Sequence, residues 1–227
     1  MSISPNKKKV LVLFGTRPEV IKLAPVITEL KAQPKSFEVV TVSTGQHTDL
    51  LVPFLQIFGI EPDFSLQVMT AAQTPSDVCA RVMTALDKIL LAEKPDVVLV
   101  QGDTSSALAG AMAAFHRQIA VGHVEAGLRS GNPLSPFPEE MNRRLISKIA
   151  NFHFAATEDN GETLMLEGVS GDDIFVTGNP VVDRSLSATK QPLPSVRASA
   201  NSQPKVEQSS AAPRRAAAGG DTDWKQF

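Results

Sequence analysis

The sequence has very little cysteine. Cys79 is the only one in 227 residues, so a disulfide within the chain is excluded. A thiol that has no partner fits a reducing compartment. Because Cys79 falls inside a helical pattern, we expect a small buried hydrophobe there rather than a nucleophile.

Long apolar runs are also lacking. No stretch of 18 apolar residues occurs, and the opening residues, MSISPNKKKV, contain no apolar segment ahead of the first strand. We therefore predict a cytoplasmic protein that neither crosses a membrane nor is exported.

The sequence has no large excess of positive or negative charge. The formal net charge is -2, and acidic and basic residues are interspersed along the chain. This balance argues against nucleic acid as a partner, because no basic face is available for a phosphate backbone. Any recognition of an anion must therefore be local.

Two signatures of cofactor binding are absent from the sequence. The first strand is not followed by GxGxxG, which argues against a nicotinamide cofactor. His116 and His153 have no metal-ligand spacing with a cysteine, a histidine or an acidic residue. We predict neither a metal nor a cofactor.

Apolar runs of strand length alternate with amphipathic stretches. The runs indicate strands that are buried on both faces, at 9–14, 37–43, 96–101, 119–124, 152–157 and 173–178. Helices are predicted between them, at 20–31, 48–58, 74–93, 105–116, 139–150 and 160–167. The alternation predicts an α/β fold with right-handed crossovers, a Rossmann-like doubly wound parallel sheet.

Composition divides the chain into three segments. Residues 1–8 are expected to form a flexible N-terminus, and residues 9–183 one ordered domain. Residues 184–227 are rich in Pro, Ser, Ala and Gln without a periodic apolar pattern, so they are expected to form a disordered tail. No second domain is predicted.

The motif GTRPEVIK, residues 15–22, begins directly after the first predicted strand. The exposed amides at the start of the following helix favour an anion, and Arg17 adds a planar fork of donors. Lys22 lies about one helical turn further on and supplies a second positive charge. The alternative is that both side chains are solvated surface charges.

Three further motifs place an acidic residue near a strand end: Asp103 in QGDTSS, Glu125 in GHVEAGLR and Glu139 in PFPEEMNR. Asp103 has an alternative role as a helix cap. His123 and Glu125 are two residues apart and are expected to point to the same side of the strand. The alternative partner for Glu125 is Arg129, in a structural ion pair.

The acidic pair in PFPEEMNR, Glu139 and Glu140, lies at a predicted helix start. Two acids at this position often do no more than complement the helix dipole. Asn142, Arg143 and Arg144 follow and form a dense polar cluster.

Together, in this order and spacing, the four motifs resemble those of the non-hydrolysing UDP-N-acetylglucosamine 2-epimerases, from about Lys9 to Asp183. The resemblance selects Glu139 over Glu140, which we treat as structural. It implies catalytic roles for Asp103, Glu125 and Glu139 and substrate contacts for Arg17, Lys22 and Arg129. The segment GQHTDLL is similar to one that helps to hold a regulatory sugar nucleotide in bacterial members, with Gln46, His47 and Arg81 at the matching positions. A loop and helix cap is the alternative for that segment.

The resemblance also implies the reaction: UDP is eliminated from UDP-N-acetylglucosamine to give a 2-acetamidoglucal and adds back with C2 inverted, which supplies precursors for cell-surface polysaccharide. Members have two Rossmann-like domains of the GT-B type, and the resemblance implies that this chain can pair as a homodimer through helices of the first domain. Since this chain matches only the first domain, we expect it to be inactive or nearly so by itself. The alternatives are a hydrolysing epimerase, another GT-B sugar-nucleotide enzyme, and a non-catalytic binding remnant.

Overall fold

The computed structural model describes residues 7–45, 48–70 and 72–181, with the side chains of 48–50 left out. Residues 1–6, Gln46, His47, Ala71 and the segment 182–227 lie outside this part of the chain. The predicted disordered tail and two of the three predicted regulatory residues therefore stay predictions.

Seven strands and six α-helices follow one another through the described residues. The strands are β1 (Lys8–Phe14), β2 (Phe37–Ser43), β3 (Phe64–Ser65), β4 (Val97–Gln101), β5 (Ala120–Ala126), β6 (Phe152–Ala155) and β7 (Ile174–Val176). The helices are α1 (Arg17–Ala32), α2 (Thr48–Phe58), α3 (Pro75–Glu93), α4 (Ser105–His116), α5 (Glu139–Ile149) and α6 (Glu158–Leu166), with a 3-10 turn at Gly171–Asp173.

All seven strands form one parallel sheet in the order β3-β2-β1-β4-β5-β6-β7. One face packs on α1 and α2 through a core that includes Val12, Val20 and Leu51. The other face packs on α3, α4 and α5 through Leu11, Leu86 and related side chains. The predicted doubly wound α/β fold is confirmed.

Most element boundaries agree with the sequence prediction to within two residues, and three differences affect the description of the sheet and the site. Helix α1 begins at Arg17 rather than Val20, because Thr16 and Glu19 form a capping box and Pro18 suits the first turn. Strand β3 was not predicted, since two residues give no periodic pattern. Strand β5 extends through Glu125 to Ala126, so Glu125 lies within the strand and not after it.

The α1 face of the sheet is only partly covered at the β6–β7 edge. Phe152 and Phe175 are 39% and 43% exposed, and the Phe175 ring centroid lies 5.7 Å from that of Phe154. Next to them is a groove of about 530 Å³ between α1 and β5, lined by residues that include Val26 and Val124. We call the three phenylalanines and this groove the open apolar face.

None of the helices among the described residues is long and apolar enough to cross a membrane.

Candidate functional site at the carboxyl edge of the sheet

The carboxyl ends of β1, β4 and β5 meet at one edge of the sheet. The strand order reverses between β1 and β4, because the chain builds β2 and β3 on one side and then crosses to the other. Such a switch point leaves a crevice in which open α/β proteins bind ligands. The predicted acidic and basic residues are distributed around this crevice.

Asp103 follows β4 and the left-handed Gly102. Its Oδ2 accepts a hydrogen bond from Arg143 Nη2 at 2.6 Å, and its backbone carbonyl accepts one from Asn142 Nδ2 at 2.8 Å. The cap alternative for Asp103 is wrong, because the side chain of Thr104 caps α4 by accepting from the Ala107 amide.

The environment of Asp103 favours its protonated form. Burial raises the pKa of this carboxyl, and the nearby carboxylates of Glu139 and Glu125 raise it further. The charge of Arg143 opposes them without cancelling the shift. Asp103, Glu125 and Glu139 are therefore close enough to influence one another, as the sequence predicts.

Glu125 faces α1. Its Oε2 lies 2.5 Å from Lys22 Nζ and 2.5 Å from Gln101 Nε2. The expectation that His123 and Glu125 share a side is wrong, because Glu125 has φ of +66° and the pairing of β5 with β6 shifts register between Val124 and Ala126. This bulge turns Glu125 away from the strict alternation of the strand.

His123 is completely buried and supports the loop that holds Asp103. Its Nε2 donates to the Gly102 carbonyl at 2.7 Å, so its Nδ1 is an acceptor, and among the described residues that atom has no partner. Burial lowers the pKa of His123 to about 4, so the ring is neutral at physiological pH. We assign it a supporting role and not a place in the crevice.

Glu139 is the first residue of α5 and is partly exposed. Within the described part of the chain its carboxylate makes no hydrogen bond or ion pair. Glu140, in contrast, has a fully buried side chain that contacts Arg143 and Arg144 and accepts from the Ser130 amide. Burial opposes its ionisation, but these donors outweigh burial and lower the pKa of Glu140.

Arg17 is exposed at the first turn of α1, with its guanidinium carbon 5.7 Å from the centroid of the Phe54 ring. Two backbone amides just before the helix are already engaged, since Gly15 and Thr16 both donate to Glu19 Oε2 at 2.7 Å. These two amides are therefore not free for an anion, and the anion site at the helix start stays a prediction.

Arg129 lies with a different set of residues. Its guanidinium forms a two-pronged contact with Glu167 at 2.8 and 2.7 Å and also donates to Ser147 and to the Leu128 carbonyl. The alternative pair with Glu125 is wrong, since the described partner carboxylate of Arg129 is that of Glu167, and the predicted substrate contact of Arg129 stays a prediction.

Arg81, the described member of the predicted regulatory set, donates to the Val68 carbonyl and to Thr70 in the loop before α3. Its guanidinium is therefore already held by its own loop. A regulatory role for Arg81 with Gln46 and His47 stays a prediction.

Sequence reasoning assigned no site role to four residues that the structure brings to the crevice: Glu19, Gln101, Asn142 and Arg143. The spacing of Arg143 could have identified it, because residues four apart lie on one helix face and Glu139 was already a candidate. Thr16 and Glu19 show the capping-box spacing. Gln101 has no such signal, because it is the last residue of an apolar strand.

The crevice combines three carboxylates with the cations of Lys22 and Arg143. Asp103 has a raised proton affinity and lies near Glu139, which has no described partner, and such a pair suits proton transfer. The two cations suit an anionic leaving group. In the described part of the chain, no three His, Cys, Asp or Glu side chains are placed to hold a metal ion.

Comparisons with known proteins agree on one family. The family model for UDP-N-acetylglucosamine 2-epimerase matches residues 28–213. The UDP-N-acetylglucosamine 2-epimerase of Bacillus subtilis is 50% identical over 178 residues, which cover 78% of this chain and 47% of the relative. The chain thus spans about half the length of the curated relatives it matches.

Solved structures show the same relationship. The UDP-GlcNAc 2-epimerase of Neisseria meningitidis, bound to UDP-GlcNAc, superposes with a TM-score of 0.78 at 43% identity, over 80% of this chain and 49% of that one. A lipopolysaccharide outer core galactosyltransferase matches with a TM-score of 0.55 at 14% identity, over 76% of this chain and 45% of that one, which shows a shared fold alone.

Proposed function

The chain belongs to the UDP-N-acetylglucosamine 2-epimerase family, and from that membership we propose that it forms the carboxylate-bearing half of an enzyme interconverting UDP-N-acetylglucosamine and UDP-N-acetylmannosamine. The observation that carries the proposal is the grouping of Asp103, Glu125 and Glu139 with Lys22 at the switch point of the sheet. The Neisseria relative, bound to UDP-GlcNAc, supports this substrate class.

The reaction needs a base, an acid and an anion site. A base removes the proton from C2 of the sugar while the bond from C1 to the UDP oxygen breaks, which leaves a 2-acetamidoglucal and UDP. UDP then adds back to C1, and a proton is delivered to the opposite face of C2. No atom is gained or lost overall, so the reaction is an isomerisation that needs no cofactor.

The environments of the three carboxylates divide these roles between them. We assign Asp103 as the proton donor, because burial and the neighbouring carboxylates raise the pKa of its carboxyl above the usual value for an aspartate. Glu139 is the base, since its carboxylate is partly exposed and unpartnered among the described residues. Glu125, held by Lys22 and Gln101, stabilises positive charge that develops on the sugar ring.

Arg17 and Lys22 receive the diphosphate. Both lie on the first turns of α1, at the crevice side of β1, and Arg17 is exposed. A guanidinium offers paired donors to two phosphate oxygens, whereas an ammonium acts as a point charge. Alanine at Arg17 should therefore weaken UDP binding more than alanine at Lys22, as measured by titrating the protein with UDP.

The reaction is tested by proton exchange at C2. UDP-N-acetylglucosamine is incubated in D2O with the chain alone and with the chain mixed with the C-terminal half of the Bacillus subtilis relative, and deuterium at C2 is followed by proton NMR. We expect exchange and both epimers in the mixture, near-zero turnover in the chain alone, and loss of at least about 100-fold in rate with Asp103→Asn. Lys148→Ala, an exposed cation on α5, is the control and should leave the rate unchanged.

Different products would point to the other functions. Free N-acetylmannosamine with UDP would identify a hydrolysing enzyme. Failure of both UDP binding and exchange in every mixture would contradict the proposed function and favour a non-catalytic remnant.

A further inference from the structure

Glu19 is the most thoroughly hydrogen-bonded acidic side chain beside the crevice. The residue is 2% exposed. Its Oε2 accepts from the Gly15 amide at 2.7 Å, from the Thr16 amide at 2.7 Å and from the Thr16 hydroxyl at 3.0 Å. Its Oε1 accepts from the Thr104 hydroxyl at 2.7 Å. All four partners are donors, as an ionised carboxylate requires. Burial raises the pKa of Glu19, and these hydrogen bonds oppose that shift.

Two of these donors are the backbone amides at the exit of β1. In dinucleotide-binding folds the first strand-to-helix turn presents such amides to a ligand phosphate. Here the carboxylate occupies that position from within the protein. The turn is also packed closely, since a Cβ added to Gly15 would lie 1.9 Å from Thr44 Oγ1. A phosphate could therefore reach these two amides only by displacing the Glu19 carboxylate.

The fourth donor connects Glu19 to a different motif. Thr104 follows Asp103 directly, and its hydroxyl also accepts from the Ala107 amide at 3.0 Å as the cap of α4. One carboxylate therefore ties the start of α1, with Arg17 and Lys22, to the loop that holds Asp103. These segments are 85 residues apart in the sequence at their point of contact.

We propose that Glu19 is a positioning residue that takes the place of a phosphate in the first strand-to-helix turn and fixes the Asp103 loop against α1. It rests on the proposed function only in treating Asp103 as a reacting carboxylate. A ligand diphosphate must then be held by the side chains of Arg17 and Lys22, not by the amides of the turn. Glu19 itself touches no substrate.

The first test removes the Glu19 carboxylate by mutation and supplies formate, a small free carboxylate, in its place. Glu19→Ala leaves the Gly15 and Thr16 amides without an acceptor, and its melting temperature should fall by at least about 6 °C. Sodium formate at several hundred millimolar should recover part of that loss, relative to sodium chloride at the same ionic strength. Wild type and Glu29→Ala, an exposed acid on the same helix, should show no formate-specific gain.

The second test follows Asp103 and works even where Glu19→Ala fails to fold. Thr104→Val leaves Glu19 in place but removes both the bridge to Glu19 and the cap of α4, whereas Thr104→Ser keeps the hydroxyl for both contacts. With the loop released, Asp103 becomes less buried, so the titration midpoint of its carboxyl, followed by carbon-13 NMR, should fall in Thr104→Val and stay at the wild-type value in Thr104→Ser.

Two results would overturn the proposal: formate that stabilises wild type and Glu19→Ala equally, or an Asp103 midpoint that is unchanged in Thr104→Val. Neither measurement uses a sugar nucleotide. A failed proton-exchange assay would therefore leave this inference standing, and a failed formate test would leave the proposed function standing.

Discussion

His123 shows how a single buried residue connects the sheet to the loop of Asp103. Its neutral ring donates a hydrogen bond to the Gly102 carbonyl. The ring has no solvent-exposed surface, so a positive charge on it would not be hydrated in the folded state. Burial is the main reason that its pKa falls from 6.5 to about 4, and the nearby charges of His153, Arg129 and Arg143 lower it further.

We predict acid destabilisation that originates at His123. Below pH 6.5 the histidine becomes protonated in the unfolded chain, whereas in the folded chain it stays neutral until about pH 4. The free energy of unfolding therefore falls as the pH drops from 6.5 to about 4. The full loss is about 3 kcal/mol. Urea unfolding at pH 7.0 and 4.5 should show a smaller difference in His123→Gln than in wild type, with a residual slope from the similarly buried His153.

His116 is the matched control for this prediction, because it is exposed at the end of α4. His116→Gln should leave the pH dependence of unfolding unchanged. Equal slopes in wild type and His123→Gln would show that the buried ring is not the source.

At the residue scale, the sequence predicts which acids reach the crevice better than it predicts their partners. Asp103 and Glu125 follow from strand ends, since parallel strands place their carboxyl ends together. The pair of Glu125 with Lys22 joins residues 103 positions apart, and it depends on a bulge that has no sequence signature. The same limit applies to Gln101.

At the scale of elements, Gly127 sets how closely the end of β5 approaches α6. Its φ is +87°, and an added Cβ would lie 2.2 Å from the Asn160 carbonyl oxygen, a backbone atom that cannot move aside alone. Both the backbone conformation and the available space therefore require glycine at this position.

Gly127→Ala should lower the free energy of unfolding by at least about 3 kcal/mol, because left-handed strain and a steric clash add. Gly131→Ala is the comparison, since Gly131 has φ of +81° with nothing within 4 Å of the added Cβ. It should cost about 1 kcal/mol from strain alone. Equal losses in urea titrations of the two variants would refute the close approach.

The elements themselves follow from the sequence with few errors, and the reasons are local. Helix α3 begins at the position predicted from its capping residues, Thr74, Pro75 and Asp77. Helix α4 begins directly after its cap, Thr104. Apolar runs identify the buried strands because both faces are covered. The sheet order is not local information, so the crevice between β1 and β4 becomes visible only in the structure.

For the whole molecule, the open apolar face is the feature that most affects behaviour in solution. Exposed aromatic rings on β6 and β7 adjoin the groove beside α1, and contiguous apolar surface of this kind favours association. We expect the protein to bind the dye ANS and to self-associate as its concentration rises.

Phe175→Ser should reduce both ANS fluorescence and the apparent mass in sedimentation experiments. Leu134→Ser, which changes a side chain that is 73% exposed in the loop before α5 and outside the open apolar face, should alter neither. If Phe175→Ser leaves self-association unchanged, the surface through which the copies associate lies elsewhere on the molecule.

The ion pair between Lys22 and Glu125, at 2.5 Å, means that one positive and one negative charge of the crevice already neutralise each other. An incoming polyanion competes for the same ammonium group, so whatever affinity it gains there is set against a broken internal pair. If the ammonium moves to the bound anion, the Glu125 carboxylate keeps the hydrogen bond from the Gln101 amide and loses its counter-ion. Under the proposed function, binding of an anion at Lys22 and the charge state of the Glu125 environment are therefore thermodynamically linked.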